Sequence, residues 1–295
     1  MDKFFYYKLR DDFELSSHEF IIILNDYEEL IDVLSLLTQE LYVSKVRDEN
    51  WRYYIETISI KFIFHSLNLV TVFKGIKHFS KLLSIDNNLF DLSTGYILKR
   101  TLIENYLIFN YLFIQPKDKE EQRFRWLVFE IGGYSDRQGY SPILKELKDK
   151  LVTEQKIILD RIEELKTNKY FLMLEEKRRN SILKDKYPKL WGWKKIAKDS
   201  EINDEIFIKE WKLYSNYAHS EFISLMQIQD YYKDKEKLFN TRSHLLFSTV
   251  ILTASFITDI IKTFQVINEK FDSLDYSQKD CIRFLSSIAK NKHNF

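Results

Sequence analysis

The sequence predicts an all-α fold, namely an antiparallel bundle of about nine helices. Only 6 Gly and 3 Pro occur in 295 residues, whereas average usage would give roughly four times as many. Apolar residues recur at spacings of three and four over long stretches, and aromatic residues make up 16% of the chain. So few chain breakers argue against a β-sandwich, a doubly wound nucleotide-binding fold and a disordered chain, because all three need turns or polar tracts.

The first predicted helix covers the apolar stripe from Phe20 to Leu41, and Ser16 with Glu19 fits a capping box at its start. The run Phe20–Leu24 also fits a short strand, so both assignments stay open there. Asn50 can cap a second helix. The next predicted helices run from Trp51 to about Leu83, from Asp91 or Ser93 to Gln115, from Lys117 to Ile131 and from Ser141 to Lys166.

Breakers and caps set the predicted ends of these helices. Pro116 stops the third, and Gly132-Gly133 is expected to end the fourth. Ser141-Pro142 is a start signal, with Ser at the cap and Pro at the first helical position. The remaining predicted helices run from Lys169 to Lys184, from Asn203 or Asp204 to about Tyr232, from Asn240 to about Lys270, and onward from Ser277.

The connections between these predicted helices are short, which makes consecutive helices neighbours in a bundle. We expect residues 1–90 to form an N-terminal helical extension that packs on a bundle of residues 91–295, the two making one structural unit. The segment Gly132–Ser141 is the best candidate for an exposed loop or hinge.

The net charge of +1 hides two charged segments of opposite sign. Between Arg10 and Lys45 there is no Lys or Arg but there are nine acidic residues, whereas Lys177–Lys198 holds nine cations and one anion. The apolar run Ser243–Thr258 has 16 residues, short of the roughly 20 that a membrane span needs. We expect it to be a core helix and predict no membrane contact. A single Cys and no apparent secretory signal favour the cytoplasm.

Several motifs that mark common chemistries are missing from the sequence. It has no G-x-x-x-x-G-K-[ST] loop, no G-x-G-x-x-G, no H-E-x-x-H and no helical Glu-x-x-His pair. One Cys excludes a Cys-based zinc cluster. We therefore predict no metal site and no cofactor.

Two predicted helices carry polar residues inside apolar stripes. Arg100 and Glu104 are four apart in one helix, and Ser215 and His219 are four apart in another, one turn after Lys212. One interpretation is structural, because buried polar groups must satisfy each other. The other is chemical: Glu104 would orient His219, and Arg100 or Lys212 would stabilise charge on a phosphate.

The order of these motifs resembles a family of all-helical bacterial proteins. The motifs are, in chain order, R-x-x-x-E at Arg100–Glu104, the Trp block Trp191-Gly-Trp193-Lys-Lys-Ile, and Y-S-x-x-x-H at Tyr214–His219. The family is catalogued as a domain of unknown function, and the resemblance covers about Ser93 to Asp259. It implies a helical bundle with Arg100, Glu104, Ser215 and His219 in one polar cluster, and it carries no biochemical activity over to this chain.

The chain is also distantly similar to the HEPN superfamily of helical bundles. Many HEPN proteins are metal-independent ribonucleases of toxin and phage-defence systems, which act as dimers through an R-x(4–6)-H motif. This chain departs from that motif, because the cation nearest before His219 is Lys212 and Arg242-Ser243-His244 is too closely spaced. The departure leaves open a non-cleaving module or a differently built site.

The basic segment is a second candidate site, because its cations alternate with aromatic rings that can stack on bases. It can instead be a solvated helix face whose Trp side chains belong to the core, or it can dock on the acidic segment. The candidate nucleic-acid-binding residues are Lys184, Lys186, Lys189, Trp191, Trp193, Lys194 and Lys195.

Two functional hypotheses follow from the sequence. The first is an HEPN-like effector of a bacterial defence or toxin system that acts on RNA as a metal-independent ribonuclease, with His219 as general acid/base and Glu104 and Ser215 as its orienting residues. The second is a non-catalytic helical interaction or sensor module in which the same cluster holds the core together. A homodimer is expected in both cases, and RNA or another protein is the expected partner.

Overall fold

The computed structural model describes residues 18–45, 50–82, 85–141, 143–231 and 233–290. Within these ranges it has thirteen α-helices, one two-stranded hairpin, a 3-10 turn at Asn50–Tyr53 and a π-helical segment at Asn110–Ile114, so the all-α prediction is confirmed. In chain order the elements are α1 (His18–Ser44), α2 (Tyr54–Lys74), β1 (Ile76–Ser80), β2 (Ile85–Leu89), α3 (Leu92–Phe109), α4 (Lys119–Gln138), α5 (Lys145–Thr167), α6 (Lys169–Leu172), α7 (Glu176–Asp185), α8 (Trp193–Asp199), α9 (Asp204–Ala218), α10 (Phe222–Tyr231), α11 (Lys235–Ile260), α12 (Gln265–Asp272) and α13 (Tyr276–Ala289).

The described residues hold more helices than the nine predicted because short breaks divide three of them. The predicted helix 203–232 is α9 and α10, separated by a turn in which Ser220 has a φ of 52°. Similar breaks separate α6 from α7 and α11 from α12, and α8 was not predicted. Residues 20–24 are helical, so the strand alternative for them is wrong, while Ser16 lies outside the described residues.

The predicted second helix ends at Lys74 instead of Leu83. Gly75 has a φ of 88°, a backbone conformation that favours glycine. After it, β1 and β2 pair antiparallel, with Ile76 opposite Leu89 and Ser80 opposite Ile85. The apolar spacing of Ile76 and Phe79 fits a helix as well as a strand, but both side chains are exposed. The apolar spacing alone therefore predicted a helix for residues that form the strands β1 and β2.

Gly132 does not end a helix, because α4 continues through it to Gln138. A Cβ atom at Gly132 would lie 2.4 Å from Cα of Pro188. The missing side chain thus lets the segment around Pro188 approach α4 closely, and the glycine serves packing rather than chain reversal. The helix predicted from Ser141 begins at Lys145, and Pro142 lies outside the described residues.

The chain forms two compact units, one of residues 1–109 with 201–295 and one of residues 110–200. The sequence-based boundary near residue 90 falls inside the first unit, where α2 packs along α3. There Asn105 Nδ2 donates to the Ile58 carbonyl at 3.1 Å, and the rings of Phe62 and Phe256 stack at 4.5 Å. The second unit has its own core between α4 and α5, which includes Leu127, Ile158 and Leu165.

Two helices of the described residues, Tyr54–Lys74 and Glu236–Ile260, are long and apolar enough to cross a membrane by length and composition alone. Their apolar windows are 44% and 78% buried within the protein. The second window contains the run Ser243–Thr258, whose residues from Ser248 to Ile257 are all buried. This run therefore forms part of the protein core.

Candidate functional site

The helices α3 and α9 position the predicted polar cluster and run antiparallel to each other. Near the start of α3, Tyr96 stacks on Tyr214 at 4.4 Å and meets the edge of Tyr217 at 4.6 Å. About two turns further along α3, Glu104 contacts Trp211, which precedes both tyrosines in α9. Residue numbers therefore increase along α3 in the direction in which they decrease along α9, as expected for two antiparallel helices.

Arg100, Glu104 and Trp211 form one half-buried network. Arg100 Nε donates to Glu104 Oε1 at 3.1 Å, and Trp211 Nε1 donates to the same oxygen at 2.8 Å. The Arg100 guanidinium also lies 5.7 Å from the Trp211 ring. The Glu104 carboxylate is therefore held by two donors, and neither of them is His219.

The other predicted residues lie outside this network. Ser215 Oγ donates to the Trp211 carbonyl at 2.9 Å, a bond within its own helix, and Lys212 is exposed. His219 is exposed and follows the last residue of α9. It is eight residues beyond Trp211, about 12 Å along the helix axis. Because α3 and α9 are antiparallel, this displacement leads away from Glu104, so the structure does not bring Glu104 and His219 together.

A buried lysine next to Arg100 was not singled out by the sequence. The side chain of Lys99 is fully buried, and its Nζ donates to the Ser248 carbonyl at 2.5 Å. Nζ also lies 5.1 Å from the centre of the Phe207 ring. Burial lowers the pKa of Lys99 to about 7, against the opposing effect of the negative charge of Glu210. This ammonium group therefore titrates near neutral pH.

Glu210 is the second buried ionisable group that sequence analysis missed, and it is only 7% exposed. Neither of its carboxylate oxygens accepts a well-formed hydrogen bond from the described residues. His244 Nδ1 lies 3.5 Å from Oε1. Burial raises the pKa of Glu210, while the charges of Lys99 and His244 and the nearby hydroxyls of Ser248 and Tyr214 favour the carboxylate.

A cleft of about 510 Å³ is lined in part by His244, the neighbour of Glu210, but neither Lys99 nor Glu210 lines it. Its volume is in the range of small-molecule sites. Asp234 caps α11 by accepting a hydrogen bond from the Lys237 backbone at 3.0 Å, and Lys237 Nζ lies 5.3 Å from the centre of the Tyr231 ring. The cleft is lined by Tyr96, Tyr231, Asp234, Glu236, Lys237, Asn240, Thr241 and His244.

In the second unit, the Trp side chains of the basic segment already face cations of the chain. Arg125 is buried, donates a hydrogen bond from its guanidinium to Glu121 Oε1 at 2.6 Å, and places that guanidinium 4.9 Å from the centre of the Trp191 ring. Lys189 Nζ lies 4.4 Å from the Trp193 ring. Trp191 therefore acts as a packing residue between α4 and the segment that follows α7.

The lysines of the same segment differ in their surroundings. Lys195 pairs with Asp199 at 2.7 Å, and Lys186 is half-buried with a φ of 50°. Lys184 and Lys194 are exposed and make no ion pair among the described residues. Lys177 and Lys198 of the segment are exposed as well, so at least four of its cations are accessible to a ligand.

Part of the acidic segment contacts its own unit. Glu28 binds Lys74 at 2.5 Å, Glu29 accepts from Gln278 at 2.6 Å, and Glu40 lies 3.9 Å from Lys270. Asp11, Asp12 and Glu14 lie outside the described residues. Docking of the acidic segment on the basic one stays a prediction.

Among the described residues, no group of three or more His, Cys, Asp or Glu side chains is placed to hold a metal ion. Comparison of the chain with protein-family models, with curated proteins and with solved structures finds no match.

Proposed function

We propose that this protein is a non-catalytic helical sensor or interaction module. The observation that carries the proposal is the bonding of Glu104, whose Oε1 receives Arg100 and Trp211. A catalytic cluster would need this carboxylate beside His219. Arg100 and Glu104 instead join α3 to α9 through Trp211.

General acid/base chemistry needs partners within about 2.6–3.2 Å of the group that moves the proton. His219 is exposed beyond the end of α9, and the Arg100 guanidinium is paired with Glu104. Lys212 is also exposed, in α9. The described geometry thus supports a role for the Arg100–Glu104–Trp211 network in holding the two helices together.

The test is incubation of the purified protein with total RNA and with tRNA, with and without a chelator, alongside the His219→Ala variant. His18→Ala, which removes another exposed histidine, is the matched control. We expect no cleavage by any of the three proteins. RNA cleavage that the His219→Ala protein loses, while it keeps its fold and the control keeps its activity, would establish the HEPN-like ribonuclease instead.

A second candidate function is an RNA-binding effector, favoured by the exposure of Lys184 and Lys194 in a segment rich in cations. Binding through phosphate contacts should weaken steeply with salt. The double variant Lys184→Glu/Lys194→Glu should lose RNA retention, whereas Lys148→Glu/Lys150→Glu, which reverses two exposed lysines of α5, should keep it. No RNA retention by the unmodified protein at low salt would remove this candidate.

A further inference from the structure

We propose that the hairpin of β1 and β2 docks on the surface of an anionic lipid bilayer, with Phe79 and Leu82 entering the boundary between headgroups and acyl chains. The proposal names the partner of the interaction module and therefore rests on the proposed function. The expectation of no membrane contact was based on the length of a spanning segment, which a hairpin bound at the surface does not need.

The first argument is the exposure of apolar side chains on the hairpin. Leu82 in the turn is 99% exposed, and Phe79 and Ile76 in β1 are 57% and 41% exposed. Because Ile76 and Phe79 are three residues apart in a strand, their side chains lie on opposite faces of the hairpin. Apolar side chains are thus open to the surroundings at the tip and on both faces.

The second argument is the sequence of the turn. Strand β1 ends at Ser80 and β2 begins at Ile85, and the four residues between them are Lys, Leu, Leu and Ser. Hairpin turns favour Gly, Asn, Asp and Pro, because these residues adopt or stabilise the backbone of a turn. Leucine has no such effect, and packing within the protein does not explain Leu82, which is exposed. An apolar environment outside the protein does explain it.

The third argument distinguishes a bilayer from a protein surface. Within the described residues β1 and β2 form a sheet of only two strands, and such a hairpin is at best marginally stable by itself in water. A second copy that added a strand would pair with a backbone edge, and a flat protein partner would cover one face. Both would leave apolar side chains of the tip or of the other face in water. The interface of a bilayer surrounds the tip and both faces together.

The fourth argument is charge. Lys77 and Lys81 are exposed and stand two residues to either side of Phe79, whereas Asp86 is the one acidic residue in the sequence of segment 75–89. Anionic headgroups attract lysines close to the membrane surface. The long lysine side chains can keep their ammonium groups among the headgroups while the apolar side chains enter. The unpaired backbone edges of the hairpin cannot enter the hydrocarbon, so insertion is limited to its tip.

The helix that directly precedes the hairpin adds further apolar exposure. Phe64 and Leu67 of α2 are both exposed, and their spacing of three places them on one face of the helix. The apolar window of α2 is 44% buried, whereas that of α11 is 78% buried. Unlike the core helix α11, the stretch from α2 into the hairpin therefore keeps apolar surface available to a partner.

The experiment is co-sedimentation of the full chain with vesicles of phosphatidylcholine alone and with vesicles of an equimolar mixture of phosphatidylcholine and phosphatidylserine. We expect binding to the mixture that weakens with salt, and little binding to phosphatidylcholine. The double variant Phe79→Ser/Leu82→Ser should weaken binding at least tenfold, because it removes the apolar groups that insert. Lys77→Glu/Lys81→Glu should abolish the preference for phosphatidylserine.

The matched controls lie in α5. Val152→Ser/Leu159→Ser removes two exposed apolar side chains, and Lys148→Glu/Lys150→Glu reverses two exposed lysines. Both should bind the vesicles as the unmodified protein does. Circular dichroism checks the fold of each variant. If the hairpin double variant does not fold, Leu82→Ser alone replaces it and should weaken binding severalfold.

The proposal is overturned if the unmodified protein binds neither kind of vesicle, or if the hairpin variants bind as tightly as the α5 controls. Gel filtration with light scattering tests a second copy as the partner. A dimer that Phe79→Ser/Leu82→Ser converts to a monomer would assign the hairpin to a contact between copies and overturn the lipid partner. The RNA assay separates the two levels: cleavage would remove the non-catalytic function, whereas absent vesicle binding without cleavage would remove only the lipid partner.

Discussion

Lys99 and Arg100 are neighbours in α3, yet they lie in opposite environments. Arg100 is half-buried and paired with Glu104, which also accepts from Trp211. Lys99 is fully buried near Glu210, with which it forms no ion pair. The first cluster has paired charges at the edge of a helix contact, whereas the second keeps two ionisable groups in the core with few compensating bonds.

This difference separates a structural cluster from a candidate site. The paired, partly solvated cluster of Arg100, Glu104 and Trp211 joins two helices. Buried groups whose pKa values shift toward neutrality are the ones that cluster at functional sites. In this protein Lys99 and Glu210 are such groups, and His244, which lies 3.5 Å from Glu210, lines a cleft.

The largest expected effect concerns the pH dependence of stability through Lys99. Its pKa is about 7 in the folded protein and near 10.5 when unfolded. Between these values the unfolded chain binds a proton that the folded chain does not, so stability rises with pH. The gain from pH 7 to pH 9 should be about 2 kcal/mol. Urea unfolding of the unmodified protein and of Lys99→Met at both pH values measures it.

The relevant quantity is the difference between the two proteins, because other groups titrate in the same range. Lys212→Met removes an exposed lysine of α9 and should follow the curve of the unmodified protein. Equal slopes for Lys99→Met and the unmodified protein would show that Lys99 is not a shifted group, and the contrast with Arg100 would disappear.

A smaller effect is expected for the paired cluster. Glu104→Ala removes the acceptor of both Arg100 and Trp211. Because the cluster is partly solvated, the cost should be about 1–2 kcal/mol, and the melting temperature should fall by roughly 2–8 °C. Glu104→Gln keeps an acceptor for Trp211 and should lose less than half as much. A loss in Glu104→Ala too small to measure would mean that the network does not hold α3 against α9.

The smallest effect is expected at His219. Its side chain is exposed beyond the end of α9, and surface substitutions usually change stability by less than about 0.5 kcal/mol. Thermal unfolding of His219→Ala should match that of the unmodified protein. A drop of several degrees would reveal a buried partner for His219 and restore the predicted link with Glu104.

The sequence predicted the fold class because apolar spacing and the shortage of breakers report directly on long helices. The sequence did not predict the helix ends and breaks that depend on tertiary contacts or on an unusual backbone conformation. Gly132 has the form of a helix end, but its role depends on Pro188, 56 residues later in the chain. The break after Ala218 depends on the left-handed backbone of Ser220, for which the sequence offers no glycine signal.

The candidate site was missed for a related reason. Lys99 lies on the buried stripe of α3 with Tyr96 and Tyr106, and Glu210 lies on that of α9 with Phe207 and Tyr214. Charged residues on an apolar stripe were thus the signal available in the sequence. The i, i+4 spacing instead favours Arg100 and Glu104, but this spacing does not distinguish the edge of a helix from its buried centre.

The most direct test of this account is the titration of Lys99 itself by NMR, in protein labelled with ¹³C at the lysine ε position. The account predicts one lysine signal with a midpoint near pH 7, absent from the Lys99→Met protein. If every lysine in the unmodified protein titrates near pH 10.5, Lys99 is not the buried ionisable group described here, and the contrast between the two clusters is contradicted.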